Sequence, residues 1–305
     1  GKMVKKSGKP IVIHSLFASA QPHALDLARH YGIPVYDSLD IACKCVAVLA
    51  DYGRHLKAVH TQRSFKMQWG AQADPDIEAT IQAARKEGRR VLLEPEAKQL
   101  LERHQAAAVA DRLARDADEA VVAAEAIAGP VVMKIVSPDI LHKSEAGGVR
   151  LNVSGAEAVR EGFAEIVAAA RRYAPEADVR GVLVSPMAPR GVEVIVGTRY
   201  DDQFGPVIMF GIGGILVEVL KDVTFRVLPL DAIEARAMIE EIRSTAILNG
   251  VRGQAPSDKA ALERLLLKIS DIIAAYPQIE EMDLNPVIVH PQGLSVVDAR
   301  IILKA

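Results

Sequence analysis

The chain has 305 residues, 50% of them hydrophobic and 25% charged; this is a globular mixture of about two domains and excludes wholesale disorder. Its 37 Lys and Arg against 39 Asp and Glu leave a net charge of −2, so no global field draws it to nucleic acid or an anionic membrane. Aromatics make up 4%, with the single Trp69, too few for a base-stacking platform. The two cysteines, Cys43 and Cys45, stand too close in sequence for a good intrachain bridge, which excludes a disulfide framework and fits a reducing cytoplasm.

In chain order, Pro10 to Leu16 reads as a buried strand, Gln21 to Tyr31 as a helix stopped by Gly32, Ile33 to Tyr36 as a second strand, and Leu39 to about Leu56 as a helix capped by Asp37. Two short parallel strands cannot cover their own faces. Residues 1–60 are therefore expected to be the tail of a larger doubly wound domain, followed by a polar linker over 61–76. The Gly1 start is expected to mark either a scar left by expression or a cut chain. No run approaches the roughly 20 apolar residues of a membrane span, since Val121–Ile127 and Ile212–Leu220 are the longest. The first residues carry charge without a following apolar segment, so no signal peptide is expected.

Pro75 opens a helix to about Glu87, and Pro95 another through Leu101. Asp116-x-x-Glu119, Ser154-x-x-Glu157 and Asp231-x-x-Glu234 read as capping boxes for helices ending near Ile127, Tyr173 and Arg243. Strands are expected at 131–136, 149–153, 179–184, 192–198, 207–210 and 223–228. A long helix spans 257–275, and a final strand pair covers 282–289 and 294–302.

Three features carry possible chemistry. Lys134 lies inside an apolar strand, so it either snorkels to a sheet edge or clamps a phosphate. The loop after it contains His142 and ends in Gly147 and Gly148. Adjacent glycines can present N–H groups to an anion, and the histidine is either an ordinary exposed one or a nucleophile, base or metal ligand. Glu281, Asp283 and Asn285 alternate along one strand, with Asp298 on the next. Such oxygens suit magnesium, unless they only form a solvated face. The glycines from Gly211 to Gly214 match neither a dinucleotide fingerprint nor a Walker A loop.

Together the stretches VVMKIVSPDILHKSEAGGV (131–149), GVLVSPM (181–187), QFGPVIMFGIGGILVEVLKDVTFR (203–226) and EMDLNPVIV (281–289) resemble the NDP-forming, or ADP-forming, acyl-CoA synthetase family. The resemblance implies an α/β ATP-grasp fold of two α/β subdomains over 77–305, about 77–185 forming a lid subdomain and 186–305 the C-terminal one. The stretch from Val12 to Leu49 is similar to the end of the flavodoxin-like CoA-ligase domain that precedes ATP-grasp in single-chain members.

The implied reaction is acyl-CoA plus ADP and phosphate giving acid, CoA and ATP, with phosphate relayed through histidine. His142 matches that histidine, Lys134 the lysine on nucleotide phosphates, and Gly147 and Gly148 the loop over them. Ser185 and Met187 match the hinge whose backbone reads adenine, and Glu193 the acid near the ribose. Asn285 and Asp298 match the magnesium ligands, and Asp283 an acid that orients the histidine. Glu218 and Arg226 are candidates for phosphate or phosphohistidine contacts. ATP or ADP and Mg2+ are thus the expected cofactors. The expected partners are the CoA-binding and CoA-ligase parts of the synthetase, in a cytoplasmic oligomer without nucleic acid or membrane. The stretch from Gln105 to Ala110 departs from the family's Gly-Ile-Pro-rich loop. Two other readings stay open: a ligand-sensing region of a protein acetyltransferase, and a non-catalytic nucleotide-binding subunit.

Overall fold

The computed structural model describes residues 6, 9–16, 22–61, 72–127, 129–140, 142–214, 222–251 and 253–305. The chain divides into two compact units, Gly1–Met67 and Gln68–Ala305. In the first, β1 (Ile13–His14) pairs in parallel with β2 (Val35–Tyr36), accompanied by α1 (Pro22–His30) and α2 (Leu39–Thr61). Ile33 and Ala42 are buried, but Leu39, Ile41, Val48, Leu49 and Tyr52 lie open along α2. So small a sheet leaves much of the helix uncovered. Both cysteines are free.

The second unit holds helices α3 (Pro75–Lys86), α4 (Glu94–Arg103), α5 (Ala117–Ile127), α6 (Ala156–Tyr173), α7 (Ala232–Glu241), α8 (Thr245–Leu248) and α9 (Lys259–Ala275). Its strands are β3 (Arg112–Ala114), β4 (Val131–Val136), β5 (Val149–Val153), β6 (Gly181–Pro186), β7 (Val192–Asp201) and β8 (Gly205–Ile212). β9 (Val223–Val227), β10 (Ile279–Val289), β11 (Leu294–Val296) and β12 (Arg300–Leu303) complete them. They form two antiparallel sheets. One has the order β3-β6-β4-β5; the other runs β11-β10-β7-β8-β9, with β12 also paired to β10.

Each sheet has its own core. Met133, Ile135, Val182 and Val184 of the four-stranded sheet pack on Ala120 of α5 and Val159 and Ile166 of α6. The larger core joins Val194, Val196, Ile208, Phe210, Met282 and Leu284 to apolar residues of α3, α4, α7 and α9. This corrects the expected subdomain division at 185/186. Ile77, Ile81, Leu100 and Leu101 belong to the six-stranded core, because their apolar stripes cover that sheet. Residues from about Asp111 to Pro186 form the smaller subdomain.

Two local expectations also change. The Ser154 box does not form; Gly155, at φ +87°, stands at the N-cap of α6 without a side-chain cap. The strand expected over 294–302 is broken into β11 and β12, with Asp298 in the break. The Asp116 carboxylate does accept from Glu119 N–H at 2.8 Å, and Asp231 accepts from Ile233 and Glu234 N–H at 2.8 and 2.9 Å. Such caps satisfy helix-end donors. No helix among the described residues is long and apolar enough to cross a membrane.

Candidate active site

The site is built where α4 and the β11–β12 break meet the buried strand β4. Glu94 begins α4, whose N-terminus favours a carboxylate. That helix start is fixed by Glu96, which accepts from Leu93 N–H at 2.7 Å and from Arg89 Nη1 and Nη2 at 2.9 Å. Lys134 sits mid-strand, opposite Leu183 and Val149, with its side chain almost wholly buried, so its charge must be met inside. Its Nζ donates to Glu94 Oε1 at 2.7 Å, Val297 O at 3.1 Å and Asp298 Oδ2 at 3.2 Å. The snorkelling alternative for Lys134 is thereby excluded.

The pairing extends into a network. Lys143, the residue after His142, lies 2.9 Å from Glu94 Oε2 and 3.7 Å from Asp298 Oδ1. Lys98 lies 3.2 Å from Glu94 Oε1 and 2.6 Å from Asp111. Burial alone would raise the Glu94 pKa, but the ammonium groups of Lys134, Lys143 and Lys98 and the Lys134 hydrogen bond hold it down at about 2. Burial disfavours the Lys134 charge, and Glu94 and Asp298 outweigh it, so its pKa is raised. Burial pushes Asp111 up despite Lys98. A cavity of about 50 Å³ adjoins Glu94, Lys143, Ser137 and Arg300.

Register puts Asn285 of β10 level with Asp298, which lies in the break between β11 and β12. The β10 register runs unshifted from Asp283↔Arg300 to Val287↔Val296, and Val297 N–H donates to Pro286 O at 3.1 Å. An amide oxygen and a carboxylate form a hard donor set that fits magnesium. Among the described residues no group of three His, Cys, Asp or Glu could hold a metal. The pair therefore suits an ion whose remaining ligands come from nucleotide phosphates and water. Asp283 stands on the open face of the six-stranded sheet, beside Glu281 and Arg300; burial and the Glu281 charge raise its pKa. No hydrogen bond or ion pair joins it to the exposed His142.

Several expected ligands are placed differently. The N–H groups of Gly147 and Gly148 donate to Ser144 O and Lys143 O, so they are not open to an anion. A Cβ on Gly148 would lie 2.4 Å from Ile135 Cγ2; this glycine serves close packing against β4. Met187 N–H donates to Pro130 O at 3.0 Å, which leaves its carbonyl as the backbone group at this position, while Ser185 is buried opposite Val132. Arg226 pairs with Ile208, a residue of the helix-covered face, and its guanidinium is bound to Glu234 and Glu241 at 2.5 and 2.6 Å. Register thus turns it away from Asp283, and it does not join the site. Glu193 is exposed on β7 near Gly213, whose N–H donates to Glu193 O. Glu218 lies outside the described residues.

The ATP-grasp domain family matches residues 83–303. The beta subunit of acetate–CoA ligase (ADP-forming) I from Pyrococcus furiosus is 46% identical over 223 residues, 73% of this chain and 96% of that subunit. The chain belongs to the ATP-grasp domains of the ADP-forming acyl-CoA synthetase family. A trans-feruloyl-CoA synthase from an unknown prokaryotic organism is 35% identical over 300 residues, 97% of this chain and 40% of that protein. A solved structure of the dinucleotide-forming acetyl-coenzyme A synthetase 1 of Ca. Korarchaeum cryptofilum has a TM-score of 0.67 at 42% identity. It covers 75% of this chain and all of that one. That protein holds coenzyme A and Mg-AMPPCP, with its phosphohistidine segment pointing towards the nucleotide binding site.

Within this synthetase domain, Glu94, Lys98, Asp111 and Lys143 are the charged groups that sequence reasoning missed. A signal for two of them existed. Positions 94, 97, 98 and 101 form one helical stripe, and Ala97 and Leu101 are fully buried. A Glu and a Lys four apart inside such a stripe are a buried ion pair.

Proposed function

We propose that this chain is the ATP-grasp part of an ADP-forming acyl-CoA synthetase and moves a phosphoryl group between His142 and the terminal phosphate of ADP or ATP. The observation that carries this is the ion network. Glu94 and Asp298 converge on Lys134 and, through Lys143, on the His142 loop. A cationic strand lysine, an oxygen donor pair and a histidine on an adjacent loop are the parts phosphoryl transfer needs, since positioning and charge neutralisation do most of the work.

In ATP synthesis the phosphohistidine N–P bond breaks as a terminal ADP oxygen bonds to phosphorus, and the imidazole leaves with its ring nitrogen free. Lys134 carries the positive charge that the phosphate oxygens require. The other ring nitrogen keeps its proton and needs an acceptor, the role assigned to Asp283 once the loop carries His142 to it. Magnesium, when bound, would be held by Asp298 and Asn285 and would neutralise charge on the phosphates. Residues 1–60 are the tail of the CoA-ligase flavodoxin-like domain. Two observations support this, the uncovered apolar residues of α2 and the 35%-identical alignment to the longer trans-feruloyl-CoA synthase, which spans 97% of this chain. The acyl and CoA steps then fall to CoA-binding parts of a cytoplasmic assembly.

Incubation of the full chain with γ-labelled ATP and magnesium tests the relay. Wild type takes up acid-labile, base-stable label, and His142→Ala takes up none while still binding ATP. Equal labelling of His142→Ala would overturn the assignment.

A further inference from the structure

Four of the network's groups form an alternating ring. Glu94 offers Oε1 to Lys134 and Oε2 to Lys143, and Asp298 offers Oδ2 to Lys134 and Oδ1 to Lys143. The ring is unequal. The side chains of Glu94 and Lys134 are 2% and 7% exposed, those of Lys143 and Asp298 20% and 30%. The longest edge, 3.7 Å, joins the two exposed members. The 2.9 Å contact between Lys143 and Glu94 Oε2 is an ion pair without hydrogen-bond alignment. Lys143 is therefore the loosest member, and it is the one adjacent to His142.

The segment it holds is a turn closed by its own backbone. Ala146 N–H donates to His142 O, Gly147 N–H to Ser144 O and Gly148 N–H to Lys143 O. Anchors stand on either side: Ile140 is buried, and Gly148 O accepts from Ile135 N–H at 2.8 Å. Ala146 is also buried, in the four-stranded core, and holds the end of the turn; among the described residues from His142 to Glu145, the side-chain tie that reaches out is Lys143. The stretch from His142 to Glu145 can thus move, hinged at the buried Ala146, when that tie is released.

We propose that Lys143 is a positioning residue for His142, a latch that Glu94 and Asp298 hold closed until magnesium nucleotide arrives. This rests on the phosphoryl-relay reading. A divalent cation competes with both lysines for the Asp298 carboxylate, and nucleotide phosphates compete with Glu94 for Lys134 and Lys143. Each exchange removes a partner from the latch. The same groups that bind nucleotide therefore free the histidine segment to travel, and the loop stays parked when the site has nothing to phosphorylate.

Hydrogen–deuterium exchange on the full chain reads the latch directly. In wild type, amides of the 142–147 turn exchange at least about fivefold faster with Mg-ADP than without ligand, the loss of one partly exposed ion pair. ADP with a chelator has a smaller effect. In Lys143→Gln the turn exchanges fast in both states, with the exchange of β10 amides unchanged, and Lys143→Arg restores the nucleotide dependence. Wild-type exchange that Mg-ADP leaves unchanged or slows overturns the latch, as does a Lys143→Gln turn as slow as wild type without ligand. Histidine labelling of the same samples separates the two readings. Absence of label in wild type sinks the relay, whereas normal label with an unaltered Lys143→Gln turn sinks the latch alone.

Discussion

Strand β4 is buried along all six residues, whereas β10 alternates between covered and open positions. Both carry ionisable groups, but under different constraints. Lys134 of β4 is held by three acceptors from other parts of the second unit. Asp283 of β10 has like-charged Glu281 beside it and the opposing charge of Arg300 across the strand, without a hydrogen bond or close ion pair among the described residues. A charge in the first setting must be matched when the protein folds. A charge in the second is left available for chemistry.

The largest test of this contrast is a pair of carboxylate substitutions. Glu94→Gln leaves Lys134, Lys98 and Lys143 around a neutral amide, and is expected to lose about 3–5 kcal/mol of stability, as when one partner of a buried pair is removed. Asp283→Asn is expected to change stability by less than about 0.5 kcal/mol. Urea unfolding of both variants checks this. Losses of equal size would mean that the two strands do not differ as described.

Asp298 stands between these extremes, half in the ring and half open. Asp298→Asn should weaken Mg-ADP binding by about tenfold or more, since a hard ion depends on anionic oxygen. Its stability cost should fall below that of Glu94→Gln, because the Asp298 side chain is 30% exposed and that of Glu94 only 2%. Calorimetric titration with Mg-ADP and with ADP plus chelator separates the metal effect from the lysine effect.

The same contrast explains what could be read from the chain. Apolar periodicity located β4 and β10, and the lone Lys134 stood out because a lysine in an apolar run demands a partner. Which partner could not be read, since Glu94 is 40 residues away and Asp298 is 164. The glycine pair after His142 read as an anion cradle because sequence does not show where N–H groups point; the turn uses them on its own carbonyls. The face that Arg226 takes could not be read either, because one residue of register decides it. β3 was missed because it is only three residues long. The division between subdomains was misjudged because α3 and α4 precede one sheet in sequence and pack against the other.

The smallest expected effect lies just before β10 begins, at a buried polar link without a formal charge. Tyr276 is fully buried; its hydroxyl accepts from Asp74 N–H at 2.8 Å and lies 2.9 Å from His104 Nε2. With its oxygen taken by Asp74, the hydroxyl proton is free to donate to an unprotonated Nε2. Burial lowers the His104 pKa below 6.5; Asp74 and Asp271 oppose this and Lys268 adds to it. The unfolded chain takes a proton near 6.5, and the folded one only at lower pH. The stability from this link is therefore full above about 6.5 and declines as pH falls towards the folded value. His104→Gln keeps a hydrogen-bonding amide but does not titrate. Urea midpoints between about pH 7.5 and 5.5 should fall less steeply for His104→Gln than for wild type. Identical slopes would show that the histidine is protonated as readily in the fold as in the unfolded chain, and that burial on this side of the sheet exacts no selection against charge.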